Sequence, residues 1–213
     1  MLAPDRPTIE TYLQLMRHPV AVIARKPHDL RAPNMQVLWP IDLTEPIEQV
    51  LWLAEQYNAV YVNLNPLKPQ YEIVRPRPGS SIRDAMIQRR TRVLIDVDGH
   101  DVPKEEAERQ KNEIKKYLGW PVLMENDTGN GYGLIYECDY PTDRESNDLV
   151  KRFLHGLKEQ FSCVDVSCSN AGRLTRLIGT LNVRHGERIA TRILNGSSIT
   201  QQDTNEAEGS EAA

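Results

Sequence analysis

VLIDVDGHD, residues 93–101, is the stretch from which the rest of the chain is read. Val93, Leu94, Ile95 and Val97 are strand-like, and Asp96 and Asp98 close the apolar run. Residues i and i+2 of a strand share a face. Carboxylates side by side repel, and burial strengthens the repulsion. A divalent cation between them removes that cost, and Mg²⁺ or Mn²⁺ takes such oxygen ligands. The spacing is equally compatible with a strand whose acids face solvent.

A third acid, Asp165, follows a short apolar approach in FSCVDVS, 161–167, where a turn cap is the alternative reading. Three acids on neighbouring strands of one sheet suit two-metal phosphoryl or nucleotidyl transfer. Between the acids lies TGNGYG, 128–133. Glycine lets a backbone approach a phosphate closely, with N–H groups turned toward it. A GxG between two strands is also the usual sign of a hairpin turn. Downstream, RLTRLIGTLNVRHGERIATR, 173–192, sets Arg173, Arg176, Arg184, Arg188 and Arg192 against a single acid, Glu187. Guanidinium forks fit phosphate oxygens, so the run favours an anionic partner over a merely solvated face.

Apolar periodicity supplies the frame. Helical spacing is expected over 8–17, after Pro46 in IEQVLWLAEQY, over 101–119, and where Leu149, Phe153, Leu157 and Phe161 repeat. The third of these has the fullest boundary signals: Asp101 and Pro103 before it, Glu105 and Glu106 in its first turn, Lys115 and Lys116 in its last, and Gly119 after. Strands are expected at 20–24, 36–39, 60–64, 122–125, 134–137, 163–166, 179–183 and 188–194. Residues 66–81 are rich in Pro and Gly and read as an outward loop. Arg89, Arg90 and Arg92 form a basic cluster ahead of the acids. The second half reads strand, helix, strand, strand, helix, strand, a split βαβ pattern.

The 213 residues suit one domain or two intimate subdomains. Net charge is −4, but residues 195–213 hold Asp203, Glu206, Glu208 and Glu211 without a Lys or Arg. Without them acidic and basic residues balance, so any basic surface is local. This polar tail is expected to be disordered. Cys138, Cys163 and Cys168 form no CxxC pair, which argues against a disulfide framework or a zinc site and for a reducing, cytoplasmic setting. No apolar run nears the ~18 residues of a membrane span, and the first residues do not read as a signal peptide.

The ordered set LIDVDGH (94–100), TGNGYGL (128–134) and VDVSCSNAGRLTRLIGTLNVR (164–184) resembles the archaeo-eukaryotic primase superfamily. The likeness is strongest to primase-polymerase domains of phages, plasmids and other mobile elements. VYVNLNP (60–66) and IQRRTRVLIDVD (87–98) fit the same pattern. The resemblance implies an α+β fold over 1–194. A roughly 1–90 N-terminal α/β unit would pack on a 91–194 RNA-recognition-like unit, with the catalytic cleft between them and 195–213 as tail or linker. It implies a DNA primase and DNA polymerase, a nucleotidyltransferase of DNA replication. The cofactor would be Mg²⁺ or Mn²⁺, and the partners single-stranded DNA template, nucleoside triphosphates, and a helicase or other replication protein, with no membrane. Asp96, Asp98 and Asp165 would be the catalytic metal ligands. Thr128, Gly129 and Gly131 would line the triphosphate, Arg173 and Arg176 would stand near the incoming nucleotide, and Asn182 and Arg184 belong to the closing signature.

One position departs from the pattern. The family's glycine turn ends in a histidine that contacts nucleotide phosphates, and here that place is Gly133. Losing one charge-assisted hydrogen bond weakens binding by about 2–3 kcal/mol. His100 and His185 are candidate substitutes, His100 reading better as a cap or surface residue. The retained acids favour an enzyme. The missing histidine favours a primase-like domain that binds nucleic acid or nucleotide, and a nuclease-like or ligand-sensing domain could use the same acids.

Overall fold

A computed structural model describes residues 2–25, 36–41, 47–57, 59–72, 82–98, 102–184 and 187–196. The fold is α+β. In chain order the elements are α1 (Arg6–Met16), β1 (Val20–Arg25), β2 (Gln36–Ile41), α2 (Glu48–Gln56), β3 (Ala59–Asn63), α3 (Pro69–Glu72), β4 (Arg90–Val97), α4 (Lys104–Leu118), β5 (Met124–Asp127), β6 (Tyr132–Tyr140), α5 (Arg144–Gln160), β7 (Leu174–Arg176), β8 (Leu181–Arg184), β9 (Glu187–Ala190) and β10 (Arg192–Gly196). Short 3₁₀ turns lie at Asp84–Met86 and Val166–Ser169. No helix among the described residues is long and apolar enough to cross a membrane.

Two antiparallel sheets carry the fold, one ordered β2-β1-β3-β7 and the other β10-β5-β6-β4, with β8-β9 as a separate hairpin. The chain crosses between them: β7, from the basic segment, completes the first sheet beside β3. One hydrophobic cluster runs through both halves, from Ile9, Tyr12 and Val62 to Ile95, Leu134 and Leu154.

Several expected elements differ. The strand expected at 163–166 is a single bridge, Val164 to Val97, because Asp165 turns the chain into the 3₁₀ segment Val166–Ser169. The split βαβ pattern therefore lacks a full fourth strand. Residues 188–194 divide into β9 and β10 at Thr191, whose hydroxyl donates to the Thr180 carbonyl at 2.7 Å. β10 runs to Gly196 and pairs with β5, so Asn195 and Gly196 belong to the sheet and not to the tail. Within the loop expected at 66–81, Leu67 is buried and bridges Ile87, and α3 follows. On α5 the buried stripe is Ser146, Val150, Leu154 and Leu157, while Leu149 is exposed. Pro103 is the N-cap of α4, Asp101 lies outside the described residues, and Gly119 ends the helix at φ +64° as expected.

The basic cluster is mostly internal. Arg89 pairs with exposed Asp139. Arg90 is buried and donates to the Asn147 amide oxygen and the Ser169 carbonyl at 2.7 Å. Arg92 is buried and donates to the carbonyls of Leu15 and Met16. Those are terminal carbonyls of α1, which its own helix cannot satisfy. Arg92 thus fastens α1 to the acid-bearing strand.

A second buried charge group supports the glycine turn from below. Glu125 receives Lys111 at 2.6 Å and also Lys115, and the Lys111 ammonium lies 4.5 Å from the Tyr132 ring centroid. Burial pushes the Glu125 carboxyl up, but the two lysines outweigh it and hold it below the ordinary carboxylate range. A depressed folded value adds stability above the unfolded pKa, and that stability is lost as pH falls through the folded one. Glu125→Gln is therefore expected to flatten the acid limb of stability against pH, as measured by urea melts between neutral pH and pH 3.

Candidate active site

The acids meet because the chain after α5 returns along the end of β4. The Asp98 N–H donates to the Cys163 carbonyl at 2.9 Å, and the Asp165 N–H donates to the Asp96 carbonyl at 2.8 Å. These bonds fix Asp96 and Asp165 side by side. Asp165 then caps the 3₁₀ turn, its carboxylate accepting the Ser167 N–H at 2.8 Å and hydroxyl at 2.7 Å. Three residues on, the turn brings Cys168 back. Its buried thiol donates toward Asp165 Oδ2 at 3.6 Å and Asp96 Oδ2 at 3.9 Å.

One potential ligand atom from each of Asp96, Asp165 and Cys168 lies within 4.8 Å of the others. Asp98 stands outside that cluster. It is half-buried just past β4 and lines, with Val102, Lys158, Ser162 and Asp165, a cleft of about 330 Å³ beside the other acids. The expected trio is therefore a pair with a thiol and Asp98 adjacent. Cys168 was not expected here, because it has no paired cysteine in the sequence. The available signal was its position three residues after Asp165, one tight helical turn away.

Burial pushes the Asp96 carboxyl up to about 6, and Asp98 and Asp165 add to the rise against the pull of Arg173 and Arg176. Burial also pushes Asp165 up, but the Ser167 hydrogen bonds and Arg173 hold it below its ordinary value. Burial, with Asp96 beside it, raises the Cys168 thiol. The arrangement fits a divalent cation: oxygen donors converge, and their mutual repulsion is what a cation relieves.

The other expected residues surround this point. Arg173 reaches Asp165 at 3.5 Å, and its Nε has no acceptor. Arg176 ends β7, lies 5.0 Å over the Tyr61 ring centroid, donates to the Tyr61 hydroxyl at 3.3 Å, and leaves Nη1 without an acceptor. Thr128, Gly129 and Gly131 form the turn between β5 and β6, closed by the Thr128 N–H donating to the Gly131 carbonyl at 3.0 Å. Gly131 is required by close approach: a Cβ there would sit 2.4 Å from the Val97 carbonyl oxygen. Gly129 has φ +93°, and its N–H donates to Asp127 Oδ1 at 2.8 Å. Lys104 clamps both Asp127 oxygens at 2.8 Å. Buried Asn182 donates its amide to the Thr128 carbonyl at 2.9 Å, so it positions the turn. Arg184 ends β8, and its side chain, like His100 and His185, lies outside what is described.

Gly133 pairs across the sheet with Asp96 on one side and Asn126 on the other. A Cβ at Gly133 would make an ordinary contact with Leu94 at 3.4 Å, on the face that Leu94 shares with Asp96. Asn126 beside it is buried, and its Oδ1 has no hydrogen-bond partner.

No protein-family model matches the chain, and no curated protein matches it. Solved structures do. Primase RepB' aligns with a TM-score of 0.56 at 16% identity, over 89% of this chain and 56% of that one. The catalytic domain of primase RepB' in complex with initiator DNA aligns with a TM-score of 0.56 at 15% identity, over 89% of this chain and 84% of that one. The polymerase domain from Mycobacterium tuberculosis ligase D, in complex with DNA, reaches 0.47 at 18% identity, over 87% of this chain and 78% of that one. This chain thus spans little more than half of the first primase and most of its catalytic domain. Its fold is similar to that of the catalytic domain of primase RepB'.

Proposed function

We propose that the chain is a nucleotidyltransferase that synthesises or extends primers on a single-stranded DNA template from nucleoside triphosphates. The observation that carries this reading is the pairing of Asp96 with Asp165 at the end of β4, with Asp98 adjacent, Arg173 and Arg176 acting on Asp96, and the glycine turn beside them. Asp96 and Asp165 would hold Mg²⁺ or Mn²⁺, with Asp98 at the edge of the same site. A divalent cation there supplies activation of the attacking 3′-hydroxyl and charge relief for the departing pyrophosphate. Arg173 and Arg176 would bring guanidinium charge to phosphate oxygens, and the Tyr61 ring lies against the Arg176 guanidinium. Thr128 and Gly131 shape the wall against which a triphosphate would lie, while Asn182 and Lys104 stop that wall from moving. Arg184 joins this set through the resemblance. Residues 1–196 would act together as the catalytic domain, with template and helicase or other replication proteins as partners.

Gly133 favours a second reading, a primase-like domain that binds nucleotide or DNA without efficient synthesis. Incorporation of labelled nucleotides on single-stranded DNA, with Mg²⁺ or Mn²⁺, separates the two when the parent is run beside Gly133→His. Under the enzyme reading the parent incorporates. The added imidazole, on the Asp96 face, then lowers the nucleotide KM by about 30- to 150-fold, the equivalent of about 2–3 kcal/mol. A silent parent with a productive Gly133→His would establish the binding reading instead.

A further inference from the structure

The donor set at the acids is not all oxygen. We infer that Asp96, Asp165 and Cys168 form a site for a thiophilic divalent cation of the zinc and cadmium class, bound through one sulfur and two carboxylate oxygens. This rests on the proposed reading of the acids as metal ligands. What the structure adds to the acidic pair is a sulfur donor set against both acids. The thiol is buried at 1% exposure and lies in hydrogen-bond range of both carboxylates. The spacing also fits. An ion about 2.1 Å from a carboxylate oxygen and about 2.3 Å from a sulfur, at a tetrahedral angle, holds those atoms about 3.6 Å apart. The sulfur stands 3.6 Å from Asp165 Oδ2 and 3.9 Å from Asp96 Oδ2. The backbone bonds that join Asp96 to Asp165 and the 3₁₀ turn that returns Cys168 set this spacing without the ion.

Binding replaces the thiol proton with the metal: the S–H bond breaks, a sulfur–metal bond forms, and the proton leaves to solvent. Thiolate ligation selects soft ions over Mg²⁺. Zn²⁺ would thus compete with the hard cation for Asp96 and Asp165. The absence of a CxxC pair speaks against a cysteine-paired zinc centre and leaves a mixed sulfur and carboxylate site of this kind open.

Cd²⁺ is the probe, because a cadmium–thiolate bond has a charge-transfer absorption in the ultraviolet. Cd²⁺ is titrated into the full chain under a thiol-free reductant, beside Cys168→Ser, Asp96→Asn and Asp165→Asn. Mn²⁺ binding to each is read in parallel by electron paramagnetic resonance. The expected result is one cadmium per chain with a thiolate band. Cys168→Ser removes the band yet keeps Mn²⁺ affinity within about threefold, and either Asp→Asn change weakens Cd²⁺ by at least about tenfold. A band unchanged in Cys168→Ser would assign the metal to Cys138 or Cys163 and overturn the inference. No band, with Mn²⁺ binding that depends on Asp96, would overturn the inference and leave the acid site standing. Failure to bind either ion would overturn both. Should Cys168→Ser not fold, the Asp→Asn pair decides: an undiminished band in both overturns the inference, and a band weakened in both supports it.

Discussion

Asp96→Asn is expected to stabilise the metal-free protein at neutral pH while removing nucleotide incorporation. The Asp96 carboxyl is pushed to about 6 by burial, reinforced by Asp98 and Asp165. A group whose folded pKa lies above its unfolded value of about 3.9 favours the fold when protonated. That contribution is fully present below the unfolded value and is lost as pH rises through the folded one. At pH 7 the parent therefore carries a cost of about 2–3 kcal/mol that an uncharged amide escapes. For a chain of 213 residues this amounts to a melting temperature about 4–12 °C higher in the variant. The gap should close below pH 4. It should also close when a divalent cation is added at about 100 times its dissociation constant, because binding stabilises only the parent, by about 2.7 kcal/mol. Calorimetry of both proteins at pH 4 and 7, with and without Mn²⁺, checks every part. A parent that is the more stable of the two at pH 7 without metal would refute the account of Asp96.

The second large effect is structural. Asn65→Ala is expected to cost about 3–6 kcal/mol, a large share of the 5–15 kcal/mol that holds a typical domain together. Asn65 is fully buried. Its oxygen accepts the N–H groups of Thr91 at 2.9 Å and Arg92 at 2.8 Å, and its amide donates to the Ala171 carbonyl at 3.0 Å. It therefore joins the end of β3, the start of β4 and the segment that carries the arginines. Alanine would leave two donors and one acceptor buried without partners. Asn63 is the companion hub: it accepts the Ala21 N–H at 2.6 Å and donates to the Asn65 carbonyl at 2.8 Å. Chemical denaturation measures the cost. A loss below about 1 kcal/mol would mean that other groups, or water, replace these bonds.

The parts of the site that could be read in the chain are those set by local chemistry. Asp96 and Asp98 close an apolar strand, and the glycines sit between two strands, so strand and turn patterns located them. Asp165 was legible as an acid after an apolar approach, but not the abruptness of its turn, which depends on Ser167 bonding back to its carboxylate. β7 was not legible. Leu174–Arg176 is too short for a periodic signal and is a strand only because β3 lies beside it. Arg90 and Arg92 were legible only as part of a basic cluster ahead of the acids. Their burial follows from the carbonyls of α1 and the Ser169 turn, which come from elsewhere in the chain. For Cys168 the one local signal was its spacing three residues after Asp165, and its approach to Asp96 depends on the turn that follows Asp165.

The most direct test of the central claim is incorporation of labelled nucleotides on single-stranded DNA by the full chain, run beside Asp98→Ala in Mg²⁺ and in Mn²⁺. The predicted result is product that needs the divalent ion and falls at least about 100-fold in Asp98→Ala, the scale of one lost contribution to transition-state charge stabilisation. Equal incorporation by the two proteins, or product without a divalent ion, would contradict it.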